Sequence, residues 1–126
     1  MIIIDTSVWI EFLKGGQSYS SAVKVLLEQR EVLAVECIFA ELLQGAKTDR
    51  ERTIILSYWN HLPKIEDPGL LIEAGLYSGQ TRLLDKGVGL IDALILICAL
   101  KSGAKIWTLD NKFAKIIPRG FVYCAC

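Results

Sequence analysis

The sequence predicts an α/β domain in which a parallel sheet is covered by helices on both faces. Three observations carry this prediction. Short apolar runs alternate with helix-like stretches along the whole chain, the pattern of a parallel sheet whose crossovers are helices. The apolar fraction is 52% and the charged fraction 22%, enough for a well-filled core and too apolar for a disordered chain. No repeat, low-complexity tract or linker interrupts the 126 residues, so positions 1–126 read as one domain.

Taken in order, Ile2-Ile3-Ile4 is a wholly apolar run of the kind found in a strand buried on both faces. Asp5-Thr6-Ser7 supplies capping side chains for a helix over 8–13, which Gly15-Gly16 ends. Residues 18–30 read as a second helix with Val23, Leu26 and Leu27 on one face, and 32–35 as the next strand. A third helix is expected over 37–47 and a fourth, more polar, over 48–60. Segment 62–66 contains Pro63 and reads as an edge strand. The apolar spacing predicts one helix over 70–86 despite Gly75 and Gly79. Residues 90–102 are so apolar that their helix must be buried on most sides. A strand over 105–109, a short helix over 111–116 and a last strand over 121–123 complete the chain. Doubly wound sheets bind ligands beyond the carboxyl ends of their strands, where the strand order reverses.

Fourteen Lys and Arg balance fourteen Asp and Glu. That balance excludes a protein that coats nucleic acid by bulk charge, so any such contact must come from a local patch. No basic run precedes the three isoleucines, so no targeting signal is expected. The longest strongly apolar stretch, 90–100, contains Asp92 and is shorter than the ~20 residues of a bilayer span. A cytoplasmic protein without membrane contact is the expectation. Cys37 and Cys98 lie in helix-like apolar surroundings and read as core thiols. Cys124 and Cys126 have no histidine or second cysteine pair nearby and read as incidental thiols of a reducing compartment.

Four acids stand apart. Asp5 follows the first strand, and Asp110 follows the strand ending in Trp107-Thr108-Leu109. Asp92 opens the long apolar helix after Gly87-Val88-Gly89, and Glu41 lies inside a helix with Cys37 and Gly45 one turn to either side. Taken singly, each aspartate fits a helix cap worth ~1 kcal/mol, and Glu41 fits a solvent-facing position. Capping does not explain the set, because serine and threonine cap almost as well and Thr6 and Ser7 already stand beside Asp5. Carboxylates converging at a sheet edge repel one another unless a cation neutralises them. Oxygen donors without histidine or thiolate favour Mg²⁺ or Mn²⁺ over zinc. Such ions assist in-line displacement at phosphorus, so the set points to phosphodiester hydrolysis.

The same residues carry a family likeness. Ile3-Ile4-Asp5-Thr6-Ser7-Val8-Trp9-Ile10-Glu11 resembles the opening of PIN domains of the VapC toxin group. Glu41-Leu42-Leu43-Gln44-Gly45, Gly89-Leu90-Ile91-Asp92-Ala93-Leu94-Ile95 and Thr108-Leu109-Asp110-Asn111-Lys112-Phe113 resemble its three later motifs, in order. The resemblance implies a PIN-like fold with a five-stranded parallel sheet and a Mg²⁺- or Mn²⁺-dependent endoribonuclease acting on RNA. It implies that Asp5, Glu41, Asp92 and Asp110 form the catalytic, metal-holding site, with Ser7 and Thr108 as supporting hydroxyls. A homodimer and a cognate VapB-type antitoxin encoded beside the gene are also implied. The chain departs from the pattern at Lys112, where an additional acid is frequent, and at Phe39, where a small hydroxyl residue is common.

Arg82, Lys86, Lys112 and Lys115 are candidates for phosphate contact, set against the plainer reading of solvated helix faces. Arg82 and Lys86 would share a helix face through their spacing of four. His61 falls in a connecting segment and is given no catalytic role. Trp9 and Phe12 are spaced for one helical face. They belong either to the core or to an exposed groove wall for an antitoxin helix that directs an arginine to the carboxylates. A signalling receiver module would carry an adjacent acidic pair after its first strand, where this chain has Asp5-Thr6. A phosphotransferase with an aspartate two residues on would need it at position 7, which is Ser7. A relative that binds without cleaving stays open at this point.

Overall fold

The computed structural model describes residues 1–125, apart from the side chain of Gln17. Cys126, and with it the reading of the Cys124–Cys126 pair, lies outside the described residues. Strand β1 (Ile2–Ile4) pairs in parallel with β2 (Lys105–Trp107), Ile3 opposite Ile106. Successive side chains of a strand point to opposite faces. Ile2, Ile3 and Ile4 are all buried, so both faces of the sheet are covered, as the apolar run predicts.

Among the described residues, regular strand is confined to these two segments. Three others run parallel alongside through isolated pairings: Val32 with Ile2, Ala34 with Lys64, and Ile106 with Val122. The order across the sheet is therefore Lys64, Val32 and Ala34, β1, β2, Val122. The shortfall from five regular strands has local causes. Pro63 has no N–H, and its carbonyl accepts from Ala34 N–H at 2.8 Å. At the other edge, residues Arg119–Phe121 wind into a 3₁₀ turn just before Val122 reaches Ile106.

The helices are α1 (Thr6–Leu13), α2 (Gln17–Glu28), α3 (Glu36–Gly45), α4 (Asp49–His61), α5 (Leu70–Thr81), α6 (Leu90–Ser102) and α7 (Asn111–Ile116). The six residues of α6 from Ala93 to Ala99, less Leu94, are buried and cover more than a full turn, so this helix sits inside the molecule. It packs most extensively on α5, whose buried face is Leu70, Ala74 and Ser78. No helix among the described residues is long and apolar enough to cross a membrane.

Two expectations are corrected. Residues 70–86 are not one helix: Arg82 takes a left-handed φ of 56° and ends α5, and Leu83–Lys86 form a separate 3₁₀ turn. The break lets Leu83 and Val88 bury, after a helix whose last turn is weakened by Gly79. Arg82 and Lys86 therefore share no helix face, and Arg82 Nε pairs with Asp85 Oδ2 at 3.1 Å. The second correction is Trp9, which is 1% exposed and forms no groove wall. It sits among Phe12, Phe39 and Tyr58, with ring centroids 5.9, 5.4 and 5.3 Å away. Phe39, the departure from the family pattern, fills this cluster and also packs on Trp59 at 5.4 Å. The residues of α1 that reach solvent are Ile10 and Leu13.

Candidate metal centre

Asp5 N–H donates to Trp107 O at 2.9 Å, carrying the β1–β2 pairing one residue past the strand. Asp5 occupies the N-cap position of α1, yet its side chain makes no cap bond. Its Oδ2 accepts from Thr108 Oγ1 at 2.6 Å and from Ser7 Oγ at 3.1 Å. Each hydroxyl is itself oriented by a backbone donor: Asp110 N–H to Thr108 Oγ1 at 3.1 Å, and Leu109 N–H to Ser7 Oγ at 3.0 Å. With an N–H on each oxygen, both hydroxyl protons turn toward Asp5, and its Oδ1 is left for another ligand. Asp5 is the one buried charged side chain among the described residues. A buried carboxylate held by hydroxyls and no cation is a functional candidate rather than a stabilising device.

Asp110 does cap its helix: Oδ1 accepts from Lys112 N–H at 2.9 Å and Phe113 N–H at 3.3 Å, which leaves Oδ2. Asp92 lies in the first turn of α6, where Gly89 takes the cap position. Glu41 is exposed in the middle of α3, and its Oε1 accepts from Thr6 Oγ1 at 2.8 Å. The Asp92 carboxyl is pushed up to about 6, first by burial and then by the charges of Asp5, Asp110 and Glu41. Charges from three separate places in the chain thus reach Asp92. The ion pairs among the described residues engage other acids, namely Glu31, Asp49, Asp85 and Glu73.

Among the described residues no three acids, cysteines or histidines form a ready-made ion cage. The chemistry of the donor set nonetheless suits a hard divalent ion, because every candidate ligand is a carboxylate oxygen. His61 takes no part: it ends α4 and its Nδ1 bonds Ser57 O at 2.7 Å. Burial pushes the Cys37 thiol up to about 12 and the Cys98 thiol up to about 11, so both stay protonated at neutral pH. Their reading as core thiols fits that behaviour.

Of the basic candidates, Lys112 is brought to the site's edge. A Cβ added to Gly87 would lie 3.1 Å from Lys112 Cδ and 3.5 Å from its Nζ. Lys112 thus spans from the helix capped by Asp110 to the loop that leads into the helix of Asp92. Lys86 precedes Gly87 and is exposed. Arg82 is exposed and pairs with Asp85, and Lys115 is exposed in the last turn of α7. The residue overlooked in the sequence is Thr6, read there only as a cap. No local signal marks it, since its partner Glu41 lies 35 positions away.

A cavity of about 400 Å³ opens between α1, α3 and α4, lined by Ile10, Leu13, Leu42 and Ile54, with Glu41 also in its wall.

Comparison with known proteins identifies the family of the chain. The PIN domain family model matches residues 2–117. Ribonuclease VapC11 of Mycobacterium tuberculosis is 30% identical over 119 residues, covering 90% of this chain and 89% of the relative. Ribonuclease VapC32 of the same organism is 31% identical over 114 residues, covering 89% and 86%. Among solved structures, VapBC2 from Rickettsia felis, bound to a DNA fragment from their promoter, superposes with a TM-score of 0.69 at 23% identity, over 97% of this chain and 96% of that one. The chain belongs to the PIN domain family and is a homologue of mycobacterial VapC ribonucleases.

Proposed function

We propose that this chain is a Mg²⁺- or Mn²⁺-dependent endoribonuclease, the toxin of a VapBC-type toxin–antitoxin pair, acting as one domain in the cytoplasm. The observation that carries the reading is the convergence on Asp92 of the charges of Asp5, Asp110 and Glu41, with none of the four in an ion pair with lysine or arginine among the described residues. The ribonuclease names of its homologues support the same activity.

In this reading the four carboxylates would hold a divalent ion, and the chemistry it would supply is activation of a water and offset of the charge that develops at phosphorus. The side chains of the protein do the remaining work. Ser7 and Thr108 fix the Asp5 carboxylate in advance, so that little rearrangement accompanies binding. The Asp92 carboxyl, pushed up to about 6, would bind the ion in its ionised form, so occupancy should weaken as pH falls below about 6. Lys112 and Lys86 contact backbone phosphates beside the loop at Gly87, and Arg82 would do so by leaving its exposed pair with Asp85. The test is direct. RNA should be cleaved internally in Mn²⁺, survive in excess chelator, and be cleaved again when Mn²⁺ is restored. Binding of Mn²⁺ with RNA left intact would keep the metal centre and overturn the nuclease.

Two protein partners belong to the proposal. The antitoxin occupies the cavity between α1, α3 and α4, where Ile10, Leu13 and Ile54 offer an apolar seat and an inserted arginine would reach Glu41. A second copy of the chain packs on α5, whose Ile72 and Leu76 are 78% and 61% exposed. Gly75 and Gly79 lie on the same helix, and a Cβ on either would meet nothing within 4 Å. Light scattering at micromolar concentration should read two chain masses, and Ile72→Glu should reduce the reading to one. A wild-type reading of one mass removes the dimer.

A further inference from the structure

We infer that Thr6 is a positioning residue for Glu41 and thereby sets the divalent-ion affinity of the site without touching the ion; this rests on the proposed metal centre. Thr6 is the first residue of α1, and its hydroxyl is not spent on capping. Its one proton goes to Glu41 Oε1 at 2.8 Å, across to α3. A β-branched side chain in a helix has few χ1 choices, so the direction of this donor is set by the backbone of α1. The adjacent Ser7 gives its proton to Asp5. Two consecutive hydroxyls therefore serve two different acids, and the start of α1 couples their positions.

Glu41 is the acid that needs such a tether. Asp5 is buried and doubly held, and Asp110 is fixed by its own cap. Glu41 is exposed and has a longer, freer side chain. It also carries the same charge as Asp92, which feels it, so repulsion favours rotamers that swing it outward. The Thr6 bond opposes that drift and leaves Oε2 for the ion. Substituting the hydroxyl by a methyl keeps the shape of the side chain and removes only the tether.

The experiment measures Mn²⁺ affinity by calorimetry for wild type, Thr6→Val, Thr6→Ser, Glu41→Gln and the double variant Thr6→Val with Glu41→Gln. Thr6→Val should weaken Mn²⁺ binding about tenfold, the scale of one hydrogen bond to a charged group. Thr6→Ser should stay within about twofold of wild type. In the Glu41→Gln background, Thr6→Val should cost nothing further, because the group it positions is already altered. Thermal melts in chelator report folding, and Thr6→Ala replaces Thr6→Val if valine lowers the melt. Wild-type affinity in the hydroxyl-free variant, or an equal loss in both backgrounds, overturns the assignment. Asp92→Asn separates this from failure of the underlying reading. If that variant binds Mn²⁺ as wild type does, the metal centre itself is wrong. If it loses Mn²⁺ while Thr6→Val does not, only the role of Thr6 falls.

Discussion

Asp92→Asn is expected to abolish measurable RNA cleavage, weaken Mn²⁺ binding more than about 100-fold, and raise the melting temperature of the metal-free protein at neutral pH. Loss of a supporting partner alone commonly costs about 10–100-fold in metal affinity, so loss of a direct ligand should exceed that. The stability effect follows from the position of Asp92. Its carboxyl is pushed up to about 6 by burial and by Asp5, Asp110 and Glu41, whereas an unfolded aspartate titrates near ~3.9. Between those values the folded chain holds a proton that the unfolded chain has released. Stability from this group is therefore fully present below about pH 4 and is lost as pH rises through about 6. Metal-free wild type should melt higher at pH 5 than at pH 7.5, and saturating Mn²⁺ should restore the loss. Asparagine keeps the shape without the charge, so the variant should lack both this pH slope and the Mn²⁺-induced gain. An undiminished Mn²⁺-induced shift in Asp92→Asn would remove Asp92 from the ligand set.

The candidate site was more legible in the sequence than the surfaces around it, for physical reasons. Asp5, Asp92 and Asp110 fall where a strand has just ended or a helix begins, and those boundaries are written locally in Ile2-Ile3-Ile4, Gly87-Val88-Gly89 and Thr108. Glu41 has no such boundary beside it; its signals are the small neighbours Cys37 and Gly45 one turn away and its motif. The hydroxyls Ser7 and Thr108 come from the family likeness, and in the fold both donate to Asp5. The Thr6–Glu41 bond was not legible, because only the fold brings α1 against α3. The break at Arg82 was missed for a similar reason. Its left-handed backbone is selected by the burial of Leu83 and Val88, a tertiary demand that overrides the apolar spacing of 70–86. The sheet was legible in its order and less so in its regularity, since single pairings at Lys64 and Val122 depend on how Pro63 and the 3₁₀ turn at Arg119–Phe121 present the backbone.

Trp9→Ala should destabilise the protein by about 3–5 kcal/mol, the usual cost of truncating a large aromatic residue in a core. The α1 sequence TSVWIEFL is apolar over more than half of its circumference, so its period does not say which of the apolar residues turn inward. The structure turns Val8 and Trp9 inward and Ile10 and Leu13 toward solvent. Trp9 touches rings from α1, α3 and α4, through Phe12, Phe39 and Tyr58, and Phe12 and Tyr58 also meet each other at 6.1 Å. Neighbours drawn from three helices cannot all collapse into the space of an indole, which places the cost toward the upper end of that range. A loss of that size is a large share of the ~5–15 kcal/mol total of a typical domain. It should appear as a melting temperature lower by about 10 °C or more. Ile54→Glu is the informative contrast, because Ile54 is 39% exposed in the wall of the α1–α3–α4 cavity and no fold-critical packing is removed. That variant should melt near wild type, cleave RNA, and escape inhibition when co-expressed with the proposed antitoxin. Trp9→Ala should instead fail in chemical denaturation before any partner is added. A fully stable Trp9→Ala protein that resists the antitoxin would reverse this assignment and return the tryptophan to the binding surface.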